Sequence, residues 1–597
     1  MEPEERDRVE RVLSRIPRDE WDKFLGTANG NALRNQLDAV RAALRQAGHL
    51  QPGLPPRPIA EVIDLLGHRL LGDDTAGEWL RWKILETLPE TQWQRLTNSY
   101  PDMAGKGAKA FHGNMTQGAT GARVLAGYWR QGTRWARAFC DVAGLPEVLA
   151  QARKAPFSKD EEILPVEPLT PLHPFQVEVY KSLRKLILDG QGKAAMMSLP
   201  TGAGKTRVTV EALCDHFAIE TNARRNRNIV LWISQSDELQ QQAWECFRQV
   251  WQVPPQRDGE SIRRNAPLRI VRLWGSRDPD EIELSEEPTI LIAGIDQLAT
   301  WARDKPAFFE RIPTRRLACV VVDEAHSLIT HEHREVLLAL GLRAKHEWRT
   351  LQGAPPIIGL SATPWRTRGE QTATLRKYFQ ARLVRPDSLG SNPITALQKM
   401  GILAKVKPVP LRIERTRPMS EDQRQQYEQF KELPLDYLEQ LGFEPERNAR
   451  IIKALSRLPA RSRVLVFACS VAHANLLTVA LNRAFGDESA AVVTGQTPRT
   501  ERASVIERFR GGDLRFLCNV GVLTTGFDAP KADVVCVTRP TTSAIRYEQM
   551  VGRGLRGPKN GGTDWCTVLD VQDEGLPDDV KSYARVLELW EKRSTQS

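Results

Sequence analysis

The sequence lacks the features of a membrane protein and of a secreted one. No apolar run approaches the roughly 20 residues that a membrane-spanning helix needs, and the N-terminal stretch MEPEERDRVERVL is too charged for a secretory signal. The cysteines are scattered and none lies in a C-x-x-C pair, so neither a disulfide framework nor a zinc site is indicated. These absences predict a protein of the reducing cytoplasm that has no membrane partner.

The sequence also has little excess charge of either sign. It contains 84 Lys and Arg residues against 74 Asp and Glu residues, a net charge of +10 over 597 residues. This surplus is compatible with a polyanionic partner but is modest for the length. A hydrophobic fraction of 41% argues against wholesale disorder, and the length predicts three to four domains at about 100–200 residues each.

The pattern of the sequence changes along the chain. Residues 1–160 carry apolar residues at helical spacing, which predicts an all-helical accessory domain. The proline-rich segment 161–175 predicts a semi-rigid linker, so we expect the helical domain to be separable from the rest of the chain. Residues 176–395 and 396–597 are predicted to form two α/β domains, the second with a charged, solvated insertion at 407–460.

Short apolar runs alternate with amphipathic helical stretches in both α/β domains. This alternation is typical of parallel strands joined by helices. The predicted strands are Ala194–Leu199, Ile229–Ser234, Ile290–Ala293, Ala318–Val322 and Ile357–Leu360 in the first domain, and Val464–Ala468, Ala491–Val493, Phe516–Val520, Val534–Thr538 and Thr567–Val571 in the second. The predicted fold class is α/β, with two parallel sheets in tandem.

A glycine-rich turn, LPTGAGKT, follows the first predicted strand. Glycines let the backbone turn tightly and direct amide N–H groups at phosphate oxygens. Lys205 supplies a positive charge for the β and γ phosphates, and the Thr206 hydroxyl is placed to bind Mg²⁺. Leu199 stands where the strict phosphate-loop pattern has its first glycine, so an ordinary strand–helix turn is the alternative. The predicted nucleotide-binding residues are Thr201, Gly202, Ala203, Gly204, Lys205 and Thr206.

Two adjacent carboxylates, Asp323 and Glu324, follow another apolar run in the tetrapeptide DEAH. Open α/β sheets bind their ligands at the carboxyl ends of strands, which is where this pair is predicted to lie. We expect Asp323 to hold Mg²⁺, directly or through water. We expect Glu324 to orient and deprotonate an attacking water, so hydrolysis of ATP is favoured over kinase-type transfer.

With these motifs the sequence resembles the superfamily 2 helicases and translocases of the DEAD/DEAH-box type, over about residues 170–597. Gln176 is similar to the family's adenine-reading glutamine. The other similar segments are Ile233–Ala243 and Ile290–Leu298 (nucleic-acid motifs of the first domain), Gly359–Pro364 (motif III), Val464–Ser470 (motif IV) and Gly521–Pro530 (motif V, with Gly526 and Asp528 at nucleotide-binding positions). The resemblance implies two RecA-like domains that bind ATP and Mg²⁺ in the cleft between them.

The segment QMVGRGLR resembles motif VI of the family, Q-x-x-G-R-x-x-R, and begins at Gln549. Family members place two arginines of this motif on the γ-phosphate of ATP that the first domain binds, and Arg553 and Arg556 occupy those positions. A guanidinium suits this role, because charge spreads over the phosphoryl oxygens in the transition state. The resemblance therefore implies catalytic roles for Lys205, Asp323, Glu324, Gln549, Arg553 and Arg556.

The strings GLSATPWR, GILA (Gly401–Ala404) and QMVGRGLRGPKNG are most similar to the DNA-directed group of restriction-type motor subunits and Rad25-like translocases. This similarity implies a nucleic-acid-dependent ATPase that acts as a DNA helicase or translocase, by analogy in bacterial DNA repair or phage defence. Two alternatives stay open at this point. One is an RNA helicase, and the other is an ATP-gated clamp or scaffold subunit of a nucleic-acid-binding complex.

Several weaker signals allow more than one interpretation. Residues 103–140 combine basic and aromatic side chains without an acidic one; this suits contact with nucleic acid or with a protein partner, or an amphipathic helix with its aromatics in the core. Trp365 and Arg366 could reach nucleotide or DNA, or simply pack. His331 and His333 lack further ligands at metal spacing and are predicted to be surface histidines.

Overall fold

The computed structural model of the chain describes residues 3–585 apart from internal gaps. The gaps are residues 51–57, 104–118, 151–168, 190–191, 220–226, 253–255, 258–259, 262–266, 274–277, 285, 313, 343–353, 363–368, 415, 487 and 524–530. Most of the proline-rich segment 161–175 lies outside the described residues, and its last residues begin a helix at Pro174.

The N-terminal region is helical, as predicted. Its helices are α1 (Pro3–Leu13), α2 (Arg18–Gly26), α3 (Asn31–Ala47), α4 (Pro58–Leu66), α5 (Thr75–Glu86), α6 (Glu90–Met103), α7 (Ala119–Gly127) and α8 (Arg134–Ala143). Aromatic side chains hold part of its core together: the Trp79 ring stacks on Phe24 at 4.2 Å between centroids and meets the edge of Trp21 at 5.0 Å. Such pairs stabilise a core beyond the area that they bury.

The first α/β domain is built on a seven-stranded sheet in the order β5-β6-β2-β7-β8-β1-β9, with all pairs parallel. Its strands are β1 (Ala194–Ser198), β2 (Ile229–Ser234), β5 (Arg269–Leu273), β6 (Thr289–Gly294), β7 (Leu317–Val322), β8 (Ile357–Ser361) and β9 (Leu383–Val384), and β3 (Gln256–Arg257) and β4 (Glu260–Ser261) form a separate antiparallel pair. Its helices are α9 (Pro174–Asp189), α10 (Lys205–Ile219), α11 (Asp237–Gln252), α12 (Ile295–Asp304), α13 (Ala307–Glu310), α14 (His331–Ala339), α15 (Gly369–Tyr378) and α16 (Pro393–Lys399).

The second α/β domain has a six-stranded parallel sheet in the order β10-β15-β14-β11-β13-β12. Its strands are β10 (Lys405–Ile413), β11 (Val464–Phe467), β12 (Ala490–Val493), β13 (Phe516–Asn519), β14 (Val534–Val537) and β15 (Trp565–Asp573). Its helices are α17 (Glu421–Phe430), α18 (Leu435–Gly442), α19 (Pro445–Ser456), α20 (Val471–Phe485), α21 (Arg499–Gly511) and α22 (Ala544–Gly552).

These two sheets confirm the predicted fold class, α/β with two tandem RecA-like domains after a helical region. The central strands are buried along their whole length, as in β7 and β11, because helices cover both faces of a parallel sheet. Among the described residues, no helix combines the length and apolar character required to cross a membrane. All eight cysteines are free thiols, and a cytoplasmic location stays a prediction.

The helical region packs directly on the second α/β domain. Helix α3 lies against α19 and α20, α4 lies against α20, and the buried residues of both parts form one continuous core. Asp64 accepts hydrogen bonds from Arg6 at 3.1 Å and Arg483 at 3.4 Å, and the His49 ring lies 5.7 Å from that of Phe485. The expectation of a separable helical domain is wrong, because the proline content of the connection does not determine which surfaces the helices bury.

The segment 407–460 also differs from its prediction as a solvated insertion. The segment starts within β10, an edge strand. This strand pairs with β15 from Lys405 opposite Trp565 to Ile413 opposite Asp573. Its last helix, α19, buries Ile451 completely and packs between the sheet and α3. The segment is charged overall, but its apolar residues lie at strand and helix spacing and supply an edge strand and a docking helix.

Removal of residues 1–168 is expected to expose the apolar faces of α19 and α20 and to make the remaining chain aggregate or unfold at a lower temperature. The reason is the shared core, since burial of apolar surface stabilises by about 25 cal/mol per Å². Thermal unfolding and light scattering of the 169–597 chain measure the effect. Asp64→Ala in the full chain is the control, because it removes the ion pairs and keeps the apolar contact. A truncated chain that is monomeric and unfolds at the full-length temperature would contradict the shared core.

Candidate active site

The glycine-rich turn lies between β1 and α10, at the carboxyl edge of the first sheet. Gly202 and Gly204 have φ angles of +82° and +87°, a region that residues with a side chain rarely adopt. The Ala203 amide donates to the Pro200 carbonyl at 3.1 Å and closes the turn. The Lys205 ammonium group donates to the Leu199 carbonyl at 3.2 Å, so it is folded back over the loop. Left-handed glycines beside a lysine suit a loop that directs its amides at phosphate oxygens, and the binding of phosphate stays a prediction.

Gln176 is buried against the same loop. Its side-chain amide donates to the Ala203 carbonyl at 3.0 Å, and its carbonyl accepts from the His173 amide at 2.8 Å. A Cβ atom at Gly204 would lie 2.5 Å from the Gln176 nitrogen, so only glycine fits there without a shift. The structure thus brings Gln176 to the loop, and its predicted contact with adenine stays a prediction.

The carboxylate pair follows β7 at the same edge of the sheet, and the strand between it and β1 is β8. The Asp323 amide donates to the Ile233 carbonyl at 2.8 Å, which extends the sheet by one residue. Glu324 has a φ of 49°, and its amide donates to the Asp323 carboxylate at 2.9 Å. A left-handed glutamate is strained, and such strain is typical of residues held for function. Both side chains are almost fully buried.

The charges of this site act strongly on one another. Burial raises the pKa of Asp323, and the Glu324 charge raises it further. Burial alone would raise the pKa of Glu324, but the hydrogen bond from His326 and the positive charges of Lys205 and Arg553 hold it below its usual value. Burial lowers the pKa of Lys205, and the two carboxylates oppose that shift. The pKa values of these two adjacent carboxylates are therefore shifted in opposite directions.

The second domain reaches into the same site through α22 and the residues after it. A Cβ atom at Gly552 would lie 2.8 Å from the Thr201 side chain, so the end of α22 touches the phosphate loop. Arg553 comes next, and its charge acts on both Lys205 and Glu324. Arg556 pairs through its backbone with Leu403, in the GILA segment between the two sheets. The structure therefore brings Arg553 to the acidic pair, while the backbone of Arg556 joins the segment that links the domains.

The remaining predicted residues differ in what the structure describes of them. Gln549 is half-buried on α22, and Gly526 and Asp528 lie outside the described residues, as do Trp365 and Arg366. His331 is exposed as predicted, but His333 is buried, with its ring nitrogen 2.9 Å from the Thr330 hydroxyl, so its prediction as a surface histidine is wrong. Helix α14 turns that side chain inward.

Three contacts of the site are not among those that the sequence predicts. His326 lies 3.3 Å from the Glu324 carboxylate, and its position two residues after that glutamate is a local signal for this contact. A Cβ atom at Gly202 would lie 3.3 Å from the Leu403 side chain, so Leu403 packs closely on the loop. The Asn560 side chain donates a hydrogen bond to the Gly202 carbonyl at 3.4 Å. These last two follow from folding of distant segments, and no local pattern indicates them.

The described part of the region 103–140 favours the core interpretation for most of its aromatics. Trp129, Trp135 and Phe139 are buried, whereas Tyr128 is 44% exposed. The arginines of α7 and α8 lie on the outer surface of the helical region. Among the described residues of this region, the predicted contact with nucleic acid therefore depends on Tyr128 and the surface arginines.

The oxygen donors at the site fit Mg²⁺. Magnesium in nucleotide sites takes one or two protein oxygens and completes its shell with phosphate and water oxygens. The Asp323 carboxylate and the Thr206 hydroxyl, the latter at the start of α10, are placed at one edge of the sheet. Within the described ranges, no group of three or more His, Cys, Asp and Glu side chains could hold a metal ion on its own.

Comparison with known families agrees with this arrangement. Residues 173–370 match the DEAD/DEAH box helicase family, and residues 446–557 match the helicase conserved C-terminal domain. The chain is similar in fold to the helicase domain of Pyrococcus furiosus Hef, with a TM-score of 0.40 and 16% identity over 70% of this chain and 97% of that one.

Three curated relatives are similar over parts of their length. IRC3 of Saccharomyces cerevisiae, described as an ATP-dependent helicase, is 27% identical over 43% of this chain and 34% of its own. The EcoKI type I restriction endonuclease subunit of Escherichia coli is 25% identical over 64% of this chain and 33% of its own length. XPB of Danio rerio, a helicase/translocase subunit of a transcription and DNA repair factor, is 24% identical over 66% of this chain and 43% of its own length.

The chain thus spans about a third of the length of the yeast and bacterial relatives. Both family matches occur in chain order, one on each parallel sheet, and a residue of the second match, Gly552, lies against Thr201 of the first. The chain belongs to the DEAD/DEAH-box helicases of superfamily 2.

Proposed function

We propose that the chain is a nucleic-acid-dependent ATPase that acts as a DNA helicase or translocase. One observation carries the proposal: charged groups of both domains act on one another, namely Lys205 and the buried Asp323 and Glu324 of the first domain and Arg553 of the second, whose helix touches the phosphate loop. A site completed by two domains couples the chemistry to the distance between them. Such coupling is what a motor that steps along a polymer requires.

Each residue has a proposed part in hydrolysis. Lys205 and the loop amides bind the β and γ phosphates, and Thr206 and Asp323 hold Mg²⁺, which offsets phosphate charge when bound. Glu324 is proposed to accept a proton from the attacking water, and His326, at 3.3 Å, is one of the groups that lower the pKa of its carboxyl group. Arg553 stabilises the charge that develops on the transferred phosphoryl group.

The track is proposed to be DNA, and the contacts are proposed to be mainly with its phosphate backbone. Similarity to a restriction-enzyme subunit and to a DNA repair factor supports this choice. The same similarity supports a role in bacterial DNA repair or phage defence. The basic outer surface of α7 and α8 is a proposed site for nucleic acid or a protein partner.

The rate of ATP hydrolysis with single-stranded DNA, duplex DNA or RNA offered separately tests this proposal. We expect DNA to stimulate hydrolysis more than RNA does. We expect the Glu324→Gln variant to bind ATP without hydrolysing it, because an amide cannot accept a proton from water. The Glu324→Gln protein, purified in the same way, also controls for contaminating ATPases. Stimulation by RNA alone would indicate an RNA helicase, and slow hydrolysis that no nucleic acid changes would favour a clamp or scaffold.

Arg553→Ala and Arg556→Ala are each expected to lower stimulated turnover, because the Arg553 charge acts on both Lys205 and Glu324 and Arg556 is the second arginine of the same motif. Loss of a comparable arginine costs about 10³–10⁵-fold in rate. Lysine should restore little, since it cannot form the planar two-pronged contact. Turnover and ADP affinity are measured for both variants, with the surface variant Arg510→Ala as control. Near-normal turnover in Arg553→Ala would transfer the role to Arg556, and near-normal turnover with both replaced would rule out a two-domain site.

Gly552→Ala tests whether the two domains must touch for hydrolysis. The added methyl group would lie 2.8 Å from the Thr201 side chain, so it should hold the phosphate loop and α22 apart. Overpacking of this kind costs about 1–3 kcal/mol, which corresponds to a fall in turnover of about 5- to 150-fold. Gly26→Ala is the matched control, because Gly26 also ends a helix of nine residues and has no heavy atom within 4 Å of the added carbon. Equal turnover in the two variants would contradict a role for this contact.

A further inference from the structure

An arginine is buried in the second domain, away from the site described above. Arg447 of α19 is 1% exposed and forms a two-pronged pair with Asp573 of β15, Nε to Oδ1 at 2.8 Å and Nη2 to Oδ2 at 3.0 Å. The same Nη2 group donates to the Thr538 carbonyl. A buried ion pair adds little net stability compared with apolar side chains of similar size. Its directed hydrogen bonds therefore suggest that Arg447 fixes the position of a neighbouring segment.

The segment that Arg447 fixes begins at Thr538, immediately after β14. The Thr538 carbonyl also accepts from the Cys469 thiol at 3.1 Å, and the Thr538 hydroxyl donates to the Phe467 carbonyl at 2.8 Å. Next in the chain, Arg539 donates to the Cys469 carbonyl at 2.6 Å. Three neighbouring strands, β11, β14 and β15, are thus joined at their carboxyl ends around one guanidinium group.

Residues 538–543 lead from this joint into α22. The Ser543 hydroxyl caps the helix by accepting from the Arg546 amide at 3.3 Å, and the Tyr547 hydroxyl donates to Asp570 of β15 at 2.9 Å. At its other end, Gly552 touches the phosphate loop, and Arg553 follows. The nine residues of α22 extend over about 13 Å, so a tilt of about 5° at the start would move Arg553 by about 1 Å.

We propose that Arg447 is a positioning residue for Arg553. Through its bonds to Thr538 and Asp573 it fixes the origin and direction of α22, and it thereby sets where the Arg553 guanidinium stands when the cleft closes. A displacement of about 1 Å can cost about 10²-fold in rate. The inference depends on the proposed function, because it assigns to Arg447 a role in the same two-domain site.

Two conservative variants test the role. Arg447→Lys keeps the charge but cannot reach both Thr538 and Asp573 with a planar fork, and Asp573→Asn keeps the shape of the acceptor and removes its charge. We expect each to lower stimulated turnover by about 10- to 100-fold with the KM for ATP changed less than twofold. Affinity for ADP with a metal fluoride, which mimics the transferred phosphoryl group, should fall in parallel, while affinity for ADP alone stays the same.

A purely structural role predicts a different result, and Asn482→Ala provides the comparison. The Asn482 side chain binds Ala490 through two hydrogen bonds, at 3.1 and 2.7 Å, and so supports β12 at the opposite edge of the same sheet. This variant should lower the unfolding temperature without a selective loss of metal-fluoride affinity. The inference is wrong if Asn482→Ala lowers turnover as much as Arg447→Lys does while the two variants unfold at the same temperature. It is also wrong if Arg447→Lys hydrolyses ATP at the normal rate.

Failure of the inference and failure of the proposed function can be told apart. Normal turnover in Arg447→Lys together with a strong defect in Arg553→Ala would overturn only the role of Arg447. Normal turnover in Arg553→Ala would contradict the part given to that arginine in the proposed function. If Arg447→Lys does not fold, Asp573→Asn alone decides, since it keeps the buried arginine and alters one partner. Normal metal-fluoride affinity in Asp573→Asn would then overturn the inference.

Discussion

The structure depends on two buried carboxylates and a partly buried lysine that lie close together at the carboxyl edge of the first sheet. Lys205, Asp323 and Glu324 are placed there by β1 and β7, and charges removed from water persist only when partners compensate them. Within the chain the compensation is incomplete, since the pKa of Asp323 is raised while that of Glu324 is lowered. Binding of phosphates and a cation would complete it, so the electrostatics of the site favour the nucleotide that its motifs suggest.

The same constraint explains why a second domain is needed. The transition state of phosphoryl transfer carries charge that Lys205 alone leaves partly unbalanced, and the additional charge near the loop comes from Arg553 of the other sheet. Close contact at Gly552 and at Leu403 holds the two domains at this distance, and the ion pair between Glu238 and Arg502 joins them at another point of the interface. The site is therefore sensitive to any motion that separates the sheets.

Local features of the site could be predicted from the sequence, and distant contacts could not. The phosphate loop and the Asp323–Glu324 pair depend on short segments, in which a strand is followed at once by glycines or carboxylates. The pairing of Arg447 with Asp573 spans 126 positions, and the contact of Gly552 with Thr201 joins two domains, so no periodicity indicates either. The segment 407–460 differs from its prediction as a solvated insertion for a related reason. Its total charge predicts exposure to solvent, whereas Ile451 and its neighbours are buried by a helix from the N-terminal region.

The helical region is packed on the second domain through a shared core. Because α3 and α4 share a core with α19 and α20, opening of the cleft cannot separate the helical region from the second sheet without exposing that core. Arg447 of helix α19 pairs with Asp573 of the sheet, and the same helix also packs on α3. Helix α19 thus contacts both the helical region and the strand ends from which the chain enters α22. In this arrangement the accessory helices form part of the body that carries Arg553 towards the phosphate loop.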